Sequence, residues 1–335
     1  MKGPIHRDFD LGALLKTVCL LLLLEVMAGS AMAKIPVILS TDVGNEIDDQ
    51  WAVAYLLVNP EFDVLGIVSA HAPCVSPPAA HTTYLVLLDE VENRLKMHTH
   101  PPLFEGSSLT LENANTPQPN AGVDFIIQSS KRFSKDNRLS VLTIGAATDV
   151  ASAILTDPSI VDRIRVVAMG FNNWPDGGDE FNVLNDVKAW QVILASDVPV
   201  VVGCGDVCRK YLSLTLDQAR DLISKQGPVG KWLWEEFVAW YYRYGEPIRK
   251  KDFSKPWIIW DDITLAYALG MTTQEVHPRP VLTDQAKFEH PQTERTITWI
   301  TGIEEKRMWG DFVAKLDAYQ RTHAVGQKEA KAFLP

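Results

Sequence analysis

Five short runs of apolar, largely β-branched residues, set between segments of helical periodicity, limit the folds open to this chain. The runs are 35–41, 64–69, 141–144, 164–169 and 198–202. Each is apolar almost throughout rather than alternating, the pattern of strands buried on both faces in a parallel sheet. Segments 50–58, 80–93, 150–155, 187–195 and 216–224 fall between or after them and read as helices. This alternation predicts a single doubly wound, mostly parallel α/β sheet of Rossmann-like plan. In such sheets ligands bind beyond the carboxyl ends of the strands. Segment 105–121, rich in Asn, Pro, Ser and Thr, reads as a surface loop. In 232–244, Leu233, Phe237, Trp240 and Tyr244 recur at helical spacing. They predict a helix with an aromatic face on the core, or one reaching over a ligand.

The first 33 residues stand apart. Lys2, Arg7 and Lys16 lead into the apolar run 18–24, and Ala31-Met32-Ala33 offers a small-x-small cleavage site. That is the layout of a secretory signal, leaving a mature domain over 34–335 that is exported, periplasmic or secreted. A membrane anchor, the alternative, needs about 20 apolar residues. The signal carries as many acidic as basic residues, so the net charge stays at −10 without it. An acidic protein whose only dense basic patch is Arg249-Lys250-Lys251 is poorly suited to gripping nucleic acid or an anionic membrane. Cys74, Cys204 and Cys208 are too few for a disulfide framework. Cys204 and Cys208 form either a small local bridge or two unpaired thiols. No Cys/His spacing matches a zinc site.

Directly after the first apolar run, Asp42, Glu46, Asp48 and Asp49 put four carboxylates into eight residues. Carboxylates brought together at a buried strand tip repel one another unless a cation neutralises them, and hard cations such as Ca2+ take oxygen ligands. The spacing is not that of an EF-hand loop. The alternative is a solvated turn with Asp48 at a helix N-terminus, favoured by the helix dipole. Asp261 and Asp262 again follow an apolar run and open an apolar helix. Asp261 is either a cap for that helix or a third anionic ligand, and Asp262 a supporting residue or an alternative ligand.

Four blocks, in order, resemble the signatures of nucleoside hydrolases. They are Asp42-Val-Gly with Asp48-Asp49-Gln-Trp-Ala; Ile144-Gly-Ala-Ala-Thr148-Asp149; Met169-Gly170 with Glu180-Phe181-Asn182 and Asp186; and Trp260-Asp261 leading into Leu265–Leu269. The resemblance spans about 35–269. It implies one calcium ion held by Asp42, Asp49, Asp261 and the Ile144 carbonyl, with Asp42 also taking a proton from the attacking water. It further implies that Asp48 contacts the ribose hydroxyls and that Glu180 and Asn182 hold the outer edge of the sugar. The implied reaction is hydrolysis of an N-glycosidic bond through an oxocarbenium-like state.

Several positions depart from the family pattern. The turn between Asp42 and Asp48 is two residues longer, which leaves Glu46 without a role and predicts it to be solvated. Ser40 stands where many members have another aspartate. Pro73 stands where a ribose-binding Asn is usual, so His71 either compensates or is incidental. Asn172 or Asn173 replaces another ribose-binding Asn. Trp260 stands where many members have an acidic histidine, a feature that resembles a purine-preferring branch in which the indole stacks on the base and protonation comes from solvent. Otherwise Trp260 is a core aromatic. The expectation is a calcium-dependent hydrolase of a purine nucleoside. The alternatives are a calcium-dependent binding protein for a ribosylated or sugar ligand, and a hydrolase of another glycoside. Homo-oligomers are compatible with either.

Overall fold

The computed structural model describes residues 33–249 and 255–332, without the side chains of 244–249 and 323–332. The expected signal, except Ala33, and the basic patch, except the backbone of Arg249, lie outside the described residues. Eight strands form one sheet: β1 (Ile35–Thr41), β2 (Phe62–Ser69), β3 (Leu103–Glu105), β4 (Leu139–Thr143), β5 (Ile164–Met169), β6 (Val200–Gly203), β7 (Thr272–Pro278) and β8 (Thr296–Ile303). Their order is β3-β2-β1-β4-β5-β6-β8-β7. All neighbours are parallel except β7, which runs antiparallel to β8.

The doubly wound plan is therefore as the strand–helix alternation predicts. Strand β4 is buried along its whole length, and β5 along all but Arg165. Helices cover both faces, which is why these strands carry no alternation. The order of strands reverses between β1 and β4. Their carboxyl ends part there and leave a crevice, the usual place for a ligand in this architecture.

Six helices matter for the site: α1 (Asp48–Val58), α2 (Thr148–Thr156), α3 (Phe181–Asn185), α4 (Gly227–Arg249), α5 (Asp262–Ala268) and α6 (Glu305–Ala332). Helix α1 is encased. Trp51, Ala52, Val53, Ala54, Tyr55 and Leu56 are all fully buried. Of the expected aromatic face of α4, Leu233 and Phe237 are buried and Trp240 is half-buried, while the side chain of Tyr244 lies outside the described residues; Tyr241 is buried as well. Phe237 lies 5.9 Å from Trp51, while Phe312 of α6 stacks on Tyr55 at 4.6 Å. Because α1 is buried all round, the two aspartates of its first turn are carried into the interior with it.

Loop 106–120 is not loosely attached. Ser107 N and Asn120 Nδ2 both donate to Asp149 Oδ1, at 3.0 and 2.7 Å, and Leu111 N donates to Asp186 Oδ2 at 2.8 Å. The edge strand β3, the antiparallel pair β7–β8 and α6 were not anticipated. No helix among the described residues is long and apolar enough to cross a membrane.

Candidate active site

At the end of β1 the chain makes a tight turn, closed by Asn45 N donating to Asp42 O at 3.1 Å. Gly44 takes φ +99° there, against the side chain of Val86. Val43 and Ile47 are buried, so the longer turn is folded into the core rather than looped out to solvent. Its end places Asp48 and Asp49 in the first turn of α1. Asp261 arrives from the opposite part of the chain, just before α5.

Asp42, Asp48, Asp49 and Asp261 are each at most 4% exposed. Ligand oxygens of Asp48, Asp49 and Asp261 lie within 4.8 Å of one another. Thr41 Oγ1 donates to Asp49 Oδ1 at 2.5 Å. By contrast Asp42 Oδ2, Asp48 Oδ1 and Asp261 Oδ1 are buried without a hydrogen-bond partner. Burial first, and the neighbouring carboxylates second, push all four well above the ordinary aspartate range. Such a cluster keeps protons or takes a cation. Its all-oxygen donor set fits a hard divalent ion such as Ca2+.

Ile144, the residue after β4, borders the same cavity. Gly145 allows this approach, since a Cβ there would lie 2.8 Å from Asp42 Oδ1 and 2.9 Å from Asp42 N. Asn182 Nδ2 donates to Ile144 O at 3.2 Å. Glu180 caps α3, accepting from Asn182 N at 3.0 Å and Val183 N at 3.1 Å. Burial raises the Glu180 carboxyl to about 7 despite those N–H groups. Phe171 sits at φ +63°, a strained conformation for a non-glycine residue.

The cavity, about 180 Å³, collects most of the expected residues: Asp42, Asp48, Asp49, Ile144, Asn172, Glu180, Asn182, Trp260 and Asp261 all line it. Other expectations change. The tight carboxylate trio contains Asp48, expected on the ribose, and not Asp42, which lines the cavity beside it. Of the two asparagines, Asn172 borders the cavity. Asn173 instead accepts from Asp176 N within its own turn, at 3.3 Å. His71 does not line the acidic cavity. It is buried against Thr148 Oγ1 at 3.0 Å, and Thr148 in turn donates to Asp186 at 2.7 Å. Burial lowers the His71 pKa.

Glu46 is not solvated as expected. It is half-buried and accepts from Trp257 Nε1 at 2.5 Å and from Trp260 Nε1 at 3.1 Å. Trp260 is half-buried, packed at the edge of the core as well as bordering the cavity. Cys204 and Cys208 are free thiols, and Cys208 Sγ donates to Trp260 O at 3.4 Å. Asp262 is fully buried outside the trio, with both oxygens unpartnered. Phe181, part of a signature block but given no role from the sequence, lines the cavity and is 41% exposed. An aromatic residue between Glu180 and Asn182 is the signal that could have found it.

An uncharacterised protein of Schizosaccharomyces pombe is 27% identical over 241 residues, 62% of this chain and 74% of its own length. The pyrimidine-specific ribonucleoside hydrolase RihA of Escherichia coli O127:H6 is 26% identical over 198 residues. That match covers 52% of this chain and spans 62% of the length of RihA. Among solved structures, a purine-preferring ribonucleoside hydrolase from Gardnerella vaginalis shares the fold with TM-score 0.63 and 22% identity, over 84% of this chain and 98% of its own. A plant nucleoside hydrolase does so with TM-score 0.66 and 17% identity, at the same coverage. The sequence profile of the family described as inosine-uridine preferring nucleoside hydrolase matches residues 37–310. A match of that extent makes the chain a member of the inosine-uridine preferring nucleoside hydrolase family, and an enzyme of that class.

Proposed function

We propose that the chain is a calcium-dependent N-ribosyl hydrolase that splits a purine nucleoside into ribose and free base. The observation that carries this is the set of three buried carboxylate oxygens without partners, on Asp42, Asp48 and Asp261, in the crevice where β1 and β4 part. Asp49, Asp261, Asp48 and the Ile144 carbonyl are the groups that would hold the ion. When bound, calcium would supply the positive charge that keeps these carboxylates ionised and would orient the sugar hydroxyls.

Asp42 accepts the proton of the attacking water, since its Oδ2 has no other partner. Water oxygen bonds to C1′ as the C1′–N bond breaks, and its second proton stays on the new hydroxyl. The surrounding carboxylates stabilise the positive charge that develops on the ribose ring. Glu180 and Asn172, which both line the cavity, meet the outer sugar edge. Trp260 and Phe181 offer aromatic surface to the leaving base, whose proton comes from solvent. That surface supports a purine, with its larger ring face, over a pyrimidine. The basic–apolar–small pattern of residues 1–33 supports export of the enzyme.

The test is ribose release from a panel of purine and pyrimidine ribonucleosides, with calcium and with chelator. Release from purines that requires calcium is the expected result. A purified protein that releases no ribose from any nucleoside refutes the reading.

A further inference from the structure

Glu46 lies in the part of the turn that the family pattern lacks, and one of its oxygens receives two indole N–H groups. Trp257 Nε1 is 2.5 Å away and Trp260 Nε1 3.1 Å. Glu46 stands two residues before Asp48, and Trp260 one residue before Asp261. A single side chain therefore joins the turn carrying the first carboxylates to the segment carrying the last.

Trp260 is held at further points. Its carbonyl accepts from Cys208 Sγ, and the Arg209 guanidinium lies 5.5 Å over its ring. Arg209 is itself fixed by Asp206 at 2.9 Å and by Asn172 at 3.2 Å. Trp260 and Asn172 border the cavity, and Arg209 does not. An indole held only by its backbone and one packed face can still turn about its side-chain torsions. A hydrogen bond from Nε1 to a carboxylate fixes the plane of the ring, and charge-assisted bonds are the stronger kind.

We propose that Glu46 is a positioning residue for the leaving group. It sets the plane of Trp260 so that the indole forms a fixed wall for a flat, aromatic base. This rests on the hydrolase reading above for the reaction, but its core statement concerns recognition of the base. Pre-set aromatic walls raise affinity because the ring need not be ordered when the ligand arrives. The longer turn is then a recognition element, since it carries the side chain that reaches both indoles.

The test compares Glu46→Ala, Glu46→Gln, Trp260→Ala and the Glu46→Ala/Trp260→Ala double variant in the full chain with calcium. Free hypoxanthine is titrated calorimetrically, calcium affinity is measured alongside, and inosine turnover is followed where it occurs. Glu46→Ala is expected to weaken hypoxanthine about tenfold and to raise KM for inosine more than it lowers kcat. Glu46→Gln, which keeps an acceptor oxygen, restores most of that loss. The double variant is no weaker than Trp260→Ala, because the two residues act as one unit. Base affinity unchanged in Glu46→Ala, losses that add in the double variant, or calcium affinity falling as far as base affinity each overturn the proposal. If the wild-type chain binds hypoxanthine with this pattern but cleaves no nucleoside, the hydrolase reading fails and the role of Glu46 stands. A wild-type chain that binds neither base nor nucleoside refutes both.

Discussion

Replacing Asp149 by Asn is expected to stabilise the protein at neutral and alkaline pH and to do little in acid. Asp149 is almost wholly buried in the first turn of α2, and Oδ1 takes the hydrogen bonds from Ser107 N and Asn120 Nδ2 that pin loop 106–120. Its Oδ2 has no partner. Burial lifts the carboxyl from 3.8 to about 6, against the lowering effect of those two donors. The sign follows from proton linkage. Between pH 3.8 and about 6 the folded state binds more protons at this site than the unfolded state, so stability falls as pH rises through that window. Above it, the ionised carboxylate costs about 3 kcal/mol relative to acid, at ~1.4 kcal/mol per pKa unit. Asn keeps the accepting oxygen and carries no charge. At ~2 °C per kcal/mol for a domain of this size, the variant gains about 6 °C at pH 8 and almost nothing at pH 4. Thermal melts of both proteins at matched pH and fixed calcium measure the difference. A variant that melts at the same temperature as the parent at pH 8, or whose advantage grows toward acid, refutes the reasoning.

Two further outcomes follow from the carboxylate cluster and its turn. Without a cation, the raised carboxyls make the folded state lose stability as pH climbs above the ordinary aspartate range. Calcium at one fixed concentration, a hundredfold over its Kd at pH 8 and worth about 2.7 kcal/mol there, should therefore raise Tm more at pH 8 than at pH 5, where protonation of the carboxylates weakens binding. Melts with calcium and with chelator at both pH values check this, and an equal gain at pH 5 contradicts it. Gly44→Ala forces a side chain into φ +99° with its Cβ 3.0 Å from Val86 Cγ2, a cost of about 1–2 kcal/mol. Both Tm and calcium affinity are expected to fall, and a melt unchanged with and without calcium argues against the strain.

Much of the fold was legible because its central strands are buried on both faces and its helices alternate with them. Strands 35–41 and 164–169 and helix 187–195 match the observed limits to the residue. What escaped lies where that signal fades. Strand β7 is mostly exposed and reads Thr-Thr-Gln-Glu-Val-His-Pro, a sequence whose only strong cue is its pairing with β8. Strand β3 is three residues long and carries no period. In the site, Asp42, Asp49 and Asp261 were visible as charge where charge is expensive. The two indole bonds of Glu46 were not, because the partners lie more than 200 residues apart and no local pattern links them. Likewise His71 carries no mark in the sequence to tell a cavity residue from one turned toward Thr148.

The carboxylate trio draws on both ends of the folded domain, Asp48 and Asp49 from near its start and Asp261 from well past its middle. An ion held by all three closes a loop of more than 200 residues. In a flexible chain, closing such a loop costs roughly 5 kcal/mol of entropy. The unfolded chain therefore cannot assemble this ligand set, and an ion bound there would act as a reversible cross-link made only by the folded state. Unfolding then has to release the ion before the first and last thirds of the domain can separate. The charge gathered for chemistry would in this way also set how long the molecule lasts once folded.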